Sequence, residues 1–255
     1  KYLERRKNSS HSSKYNEFLS NLISEKLHEN WSPEQISNAL LNGKLSFKTI
    51  YNWIYIGKLK GISLKNLRHK GKRRKKETRG KFLIGNSITT RPKDVKSRKT
   101  FGHWELDTIV SSRGKSKACL ATFVERKTRF YVAIKIKDRT APSMLKAIKK
   151  LVKVLPKKAL KTFTTDRGKE FACYKEVEKL NIKVYFADAY AAWQRGSNEN
   201  SNGLLREYYP KKTDLGKISN DDLIEKLILL NNRPRKCLNW DNPFNLFLKE
   251  VSHLD

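Results

Sequence analysis

At residue 101 the apolar pattern changes to that of strands, which fill three consecutive segments before a helical period returns. "GHWELDTIV" sets Trp104, Leu106 and Thr108 on one side and Glu105, Asp107 and Ile109 on the other. "KACLATFVERKT" and "RFYVAIKIKD" follow as two more strands, joined by a short turn at 126–129. Period two is the signature of a strand, and three such segments with short connections pair as an antiparallel meander. Helix and strand then take turns. Residues 141–154 have an amphipathic helical period that stops before Pro156, "LKTFTTD" is a short buried strand ending in Asp166, and "KEFACYKEVEKL" is helical. "IKVYFAD" is a strand, 197–208 and 219–233 are helices, and a Pro-bearing tail follows.

A meander followed by strands reached through helices predicts a mixed five-stranded sheet with helices on its faces, because parallel strands need crossovers. This α/β order matches the ribonuclease-H-like fold. The amino-terminal part has another character. Residues 14–30 have a helical period, Ser32, Pro33 and Gln35 form a capping-box signature, and Asn42-Gly43 ends that helix. Ser46 caps the next one, with Ile50 and Ile54 inward. Two short helices joined by a glycine turn describe a small all-α helix-turn-helix domain. Lys48, Thr49 and Asn52 lie near the start of its second helix, where recognition helices meet base edges. The stretch 68–81 holds nine cations and one acid, among them Arg73, Arg74, Lys75 and Lys76, and is expected to follow a phosphate backbone. The expected domains are thus 1–57 helical and DNA-binding, 58–100 a largely irregular basic linker, and 101–255 the mixed-sheet domain.

Charge narrows the partner. Lys and Arg number 56 against 25 acids, a net charge of +31. Such an excess favours a polyanion, with nucleic acid first. No stretch reaches the ~20 apolar residues that span a bilayer, so no membrane is expected. Cys119, Cys173 and Cys237 form no C-x-x-C pair, which argues against structural zinc or a disulfide framework and for reduced, mostly buried thiols in the cytosol. The chain starts at Lys rather than Met, which suggests a processed or partial chain.

A polyanion and a mixed sheet direct attention to the acids. Cutting and joining nucleic acid uses metal ions about 4 Å apart, held by a few carboxylates. Asp107 interrupts an apolar strand pattern, where an unpaired acid is costly. Asp166 closes the fourth strand, at the end where ligand crevices open. Glu199 falls in the first turn of its helix, where the dipole favours an anion. Gly203 and Arg206, at four and seven residues beyond it, share its face. Glu105, Glu170 and Asp188 compete for these roles, and His103 is a candidate to orient a water near Asp107.

The blocks "GHWELDTIV", "TTDRGKEFA", "WQRGSNENSNGLLREYYPKKTDL" and "LNNRPRKCLNW", in this order, resemble the insertion-sequence family-thirty transposases, a branch of the Asp-Asp-Glu transposases and integrases. The resemblance covers roughly residues 30–250. It implies a polynucleotidyl transferase that cleaves transposon ends and transfers the 3′-hydroxyl to target DNA. Asp107, Asp166 and Glu199 would be catalytic and would hold two Mg2+ ions, for which Mn2+ would substitute. Arg206 would contact transposon-end DNA, Trp193 and Arg195 would stack on or clamp a base, and Arg233 and Arg235 would meet phosphates. Double-stranded DNA, a homodimer or larger assembly on it, and a cytosolic, nucleoid-associated location follow from the same resemblance. Three departures stand out: an Asp166–Glu199 gap of 33 positions, one shorter than usual; no proline before Trp193; and Lys212 where glycine is common. A further DNA-binding segment is expected upstream. The alternative reading is a transposase-derived DNA-binding regulator that no longer cuts.

Overall fold

The computed structural model describes residues 15–68, 85–112, 114–188 and 191–254. The chain divides into two compact units, 1–73 and 74–255.

The first unit is helical. Helix α1, Glu17–His28, is capped by the Asn16 side chain and buries Ile23 and Leu27. Helix α2 begins at Pro33–Gln35 under the expected Ser32–Gln35 capping box and continues through Ile36–Leu40 as a wider turn, in which Leu41 N–H reaches Ile36 O. Asn42 and Gly43 then take positive φ, which reverses the chain into α3, Phe47–Tyr55, capped by Ser46. Ile50, Trp53 and Ile54 of α3 enter the core, while Lys48 and Asn52 face outward and Thr49 is half-buried. Leu59 and Ile62 complete this core, so the start of the expected linker is folded into the helical unit.

The second unit is built on one six-stranded sheet. The strands are β1 Asn86–Ser87, β2 His103–Val110, β3 Cys119–Glu125, β4 Tyr131–Ile136, β5 Thr162–Thr165 and β6 Lys183–Phe186. Their spatial order is β1-β6-β5-β2-β3-β4. β2, β3 and β4 are the antiparallel meander, and β2, β5, β6 and β1 run parallel. This is the ribonuclease-H-like arrangement. The sixth strand is only two residues long, too short to leave an alternating pattern, and it lies in the expected linker together with α4, Asp94–Ser97. The charge run expected to track phosphates lies outside the described residues.

Each sheet face has its own core. Trp104, Leu106 and Phe163 pack under α5, Ala141–Val154, whose bounds match its sequence period, with Thr140 as its cap. Here the expected helix after Asp166 opens as a tighter 3-10 segment, Lys169–Cys173, before α6, Tyr174–Glu178. On the opposite face Ile109, Leu120, Val124 and Tyr131 lie under α7, Gly196–Tyr208, and α8, Asn220–Asn232. The Pro-bearing tail contains α9, Pro243–Ser252, capped by Asn242. Its Phe247 ring stands 4.1 Å from Phe130, 5.4 Å from Phe101 and 6.0 Å from Trp104.

Candidate active site

β2 and β5 are adjacent and parallel, with His103 opposite Thr162 and Glu105 opposite Thr164. The same offset carried two pairs further sets Asp166 opposite Asp107. One guanidinium spans the two acids: Arg195 Nη1 lies 3.5 Å from Asp107 Oδ2 and Nη2 3.3 Å from Asp166 Oδ2. Arg195 also donates to Leu106 O at 3.4 Å, which fixes it over the strand end. The residue expected to clamp a base therefore sits as a counter-ion between the two aspartates.

Helix α7 reads out the other side of β2. Strand residues two apart are separated by about 6.8 Å and helix residues four apart by about 6 Å, so a helix and a strand can be matched in register over one turn. Asn198 N–H donates to Glu105 Oε2 at 2.9 Å and its Nδ2 to Glu105 O at 3.0 Å. One turn on, Asn202 Nδ2 donates to Asp107 Oδ2 at 3.0 Å, with its own Oδ1 accepting from Tyr131 O–H at 2.8 Å. Thr108 N–H gives Asp107 a further bond of 2.8 Å. Burial pushes the Asp107 carboxyl above the ordinary aspartate range, against the pull of Arg195 and with the repulsion of Asp166.

Glu170, one of the competing acids, is fully buried beside this pair. Its Oε1 accepts from Thr108 Oγ1 at 3.0 Å and from Arg139 Nε at 2.6 Å, while Oε2 has no hydrogen-bond partner among the described residues. Gly168 is what lets it approach. A Cβ there would stand 2.5 Å from Glu170 Oε2 and 2.9 Å from Asp166 Oδ1. No sequence period marks Glu170; the "DRGKE" spacing was the only available signal.

Glu199 lies in the first turn of α7, four residues past Arg195, and is exposed. Among the described residues no three His, Cys, Asp or Glu side chains are grouped to hold a metal ion. Asp107 and Asp166 by themselves suit a hard divalent ion, since their oxygens already converge on one positive charge and Mg2+ needs few carboxylates.

The expected DNA contacts separate by environment. Trp193 is 76% exposed. Arg206 is committed within the fold, donating to Val110 O at 2.7 Å, Tyr209 O at 3.3 Å and Pro210 O at 3.4 Å. Arg233 is buried against Glu207 at 3.1 Å. Arg235 donates to Leu230 O at 2.9 Å and lines a cavity with Arg98 and Arg129. Asp188 holds Gln194 through a reciprocal pair of hydrogen bonds of 2.8 and 2.9 Å, and so braces the approach to Arg195. Two thiols, Cys119 and Cys173, are buried as expected, whereas Cys237 is exposed.

His103 begins β2, four residues before Asp107 and about 13 Å along the strand from it. Its Nδ1 is 2.8 Å from Thr162 Oγ1 and its Nε2 is buried without a partner among the described residues. Burial lowers its pKa from 6.5 to about 4. The unfolded chain therefore binds this proton more readily between those values, and stability contributed by neutral His103 is present above pH 6.5 and is lost as pH falls towards 4. Urea unfolding across this range should show the loss, and His103→Asn should flatten it; an unchanged slope would exclude His103 as the source.

Comparison with known proteins supplies the family. The integrase core domain profile matches residues 97–192. The Escherichia coli transposase InsI of insertion element IS30A is 35% identical over 93% of this chain and 66% of its own length. The transposase of IS1086 from Cupriavidus metallidurans is 35% identical over 89% of this chain and 71% of its own. That of IS4351 from Bacteroides fragilis is 38% identical over 89% and 72%. The chain thus spans 66% of the length of the E. coli protein and slightly more of the others. Among solved structures, the HTLV-2 integrase catalytic core domain in complex with magnesium is similar over 56% of this chain and 94% of that one, with 18% identity and a TM-score of 0.42. With this sheet, the aligned acids at its centre and relatives of these identities, the chain belongs to the IS30 family of insertion-sequence transposases.

Proposed function

We propose that this chain cuts transposon ends and joins them to target DNA, with Asp107, Asp166 and Glu199 as the acids that would hold Mg2+, two ions at full occupancy, or Mn2+ in its place. The observation that carries this reading is the convergence of Asp107, within β2, and Asp166, just past β5, on one cation, the two strands being adjacent and parallel. Bound divalent ions would lower the pKa of an attacking water or hydroxyl and neutralise charge developing on the phosphate. In the first step a water oxygen bonds to phosphorus as the P–O3′ bond breaks, leaving a 3′-hydroxyl and a 5′-phosphate. In the second that hydroxyl oxygen bonds to a target phosphorus, and the target's own 3′-oxygen leaves.

The chain's residues prepare for this in defined ways. Asn202 and Thr108 orient the Asp107 carboxylate, Glu170 holds Thr108, and Gly168 leaves room for Asp166. Arg195 neutralises the pair. The outward face of α3, with Lys48, Thr49 and Asn52, is suited to base edges in the major groove, and the exposed Trp193 to stacking on a base. Two ends must be held together, so a homodimer or larger assembly on DNA in the bacterial cytosol and nucleoid belongs to the same proposal. No described helix is long and apolar enough to cross a membrane.

One observation favours the second reading, a DNA-binding regulator that does not cut. A resident arginine occupies the space between the aspartates, and no three-acid group is formed among the described residues. Incubating a labelled transposon-end duplex with the chain separates the two. Nicking with Mg2+, its loss with EDTA and its return with Mn2+ are expected. Binding without nicking would establish the regulator, and nicking that persists in EDTA would rule out the metal mechanism.

A further inference from the structure

A second basic site lies beside the first turn of α7, away from the aspartate pair. A cavity of about 290 Å³ is lined by Arg98, Arg129 and Arg235 together with Ser197, Ser201 and Cys237, and its lining includes no acid. The three guanidinium groups come from separate parts of the chain: the end of α4, the turn between β3 and β4, and the segment after α8. Arg129 donates to Ser197 Oγ at 3.0 Å and to Arg126 O, which ties that turn to α7. Arg98 makes no hydrogen bond or ion pair among the described residues, although it is half-buried. Its backbone is left-handed, with φ 60° and ψ 23°, a conformation costly for a residue with a Cβ. Burial, then the like charges of Arg129 and Arg126, hold its pKa below the ordinary arginine value.

Like charges gathered around a cavity repel one another unless an anion joins them. The hydroxyl of Ser201, a residue only 6% exposed, has no partner among the described residues and belongs to the same wall. At the start of α7 the Asn198 N–H is taken by Glu105, and the remaining first-turn N–H groups add a positive field at this end. A fork of guanidinium donors, a hydroxyl and a helix start together suit a tetrahedral oxyanion.

We propose that the Arg98–Arg129–Arg235 cavity is a phosphate site that takes one backbone phosphate of bound DNA. It rests on the reading of the chain as a DNA-acting transposase. It adds a grip on the strand at the start of the helix that bears Glu199.

Cys237 provides the reporter, since it lines the cavity and is exposed while Cys119 and Cys173 are buried. Alkylation of Cys237 by uncharged N-ethylmaleimide is measured on the full chain, alone, with a short DNA duplex and with inorganic phosphate. The substitution is Arg98→Asn, because asparagine tolerates the left-handed backbone. Duplex should slow alkylation several-fold in the unmodified chain and leave it unchanged in Arg98→Asn. The slope of log affinity for duplex against log salt should fall in magnitude by about 0.9 in the variant, one phosphate contact, with its thermal midpoint unchanged. Alkylation indifferent to DNA, or an unaltered salt slope in a folded Arg98→Asn, would overturn the proposal. Protection by inorganic phosphate but not by duplex would assign the cavity to a free phosphate and overturn the DNA assignment. Metal-dependent nicking by the unmodified chain is scored in parallel. Nicking without Cys237 protection removes only this cavity, and protection without nicking removes only the cutting reading.

Discussion

Asp166→Asn, and equally Asp107→Asn, is expected to bind transposon-end DNA as the unmodified chain does and to cleave it at least about a thousandfold more slowly, since metal-held charge supplies several kcal/mol of transition-state stabilisation. The change is isosteric. Asparagine keeps the oxygen that accepts from Gly168 N–H at 2.9 Å in the first case and from Thr108 N–H at 2.8 Å in the second. What disappears is one negative charge facing Arg195 and, at Asp107, also the oxygen that accepts from Asn202 Nδ2. Equilibrium binding and single-turnover cleavage of the same labelled duplex separate the two effects. Cleavage that survives either substitution would end the assignment of that aspartate.

The second large effect concerns the floor of the site. Glu105 is fully buried and pairs with Arg126, itself 3% exposed, while its other oxygen accepts the Asn198 N–H. Arg126 also donates to Val95 O at 3.3 Å. Removing one partner of a buried pair leaves an uncompensated charge, at about 3–5 kcal/mol. Arg126→Leu should therefore lower the midpoint of thermal unfolding by roughly 10 °C in a unit of this size. Arg126→Leu combined with Glu105→Leu should recover part of that loss, because an apolar pair needs no counter-charge. Calorimetry of the two variants decides the matter. A single variant as stable as the unmodified chain would mean that Glu105 is neutralised by some other group. Because Asn198 ties Glu105 to α7, the same variant should also displace Arg195 and Glu199.

Much of the sheet was legible because its strands are short, apolar-rich segments separated by short turns. β2, β3 and β4 match the three strand segments, and α5 coincides with the amphipathic stretch between Thr140 and Leu155. The pairing of β2 with β5, which aligns Asp107 with Asp166, follows from the topology that the element order implies. Helix α9 escaped notice although Asn242-Pro243 is a helix start. Phe247 acquires meaning only against Trp104 and Phe130. Long-range partners were not legible at all. Sequence gives Arg195 and Arg206 the same charge, yet one faces two aspartates and the other three backbone carbonyls. Arg98 and Arg129 carried no motif, and only folding sets them around one cavity with Arg235.

The packing of α9 also sets an order of events at the ribosome. Trp104 and Asp107 leave the exit tunnel long before Phe247, and the ring of Phe247 seals the side of the sheet opposite α7. Until α9 has emerged, the strand that bears Asp107 has an unsealed apolar underside, so the sheet can close its core on that side only after residue 247 has been added.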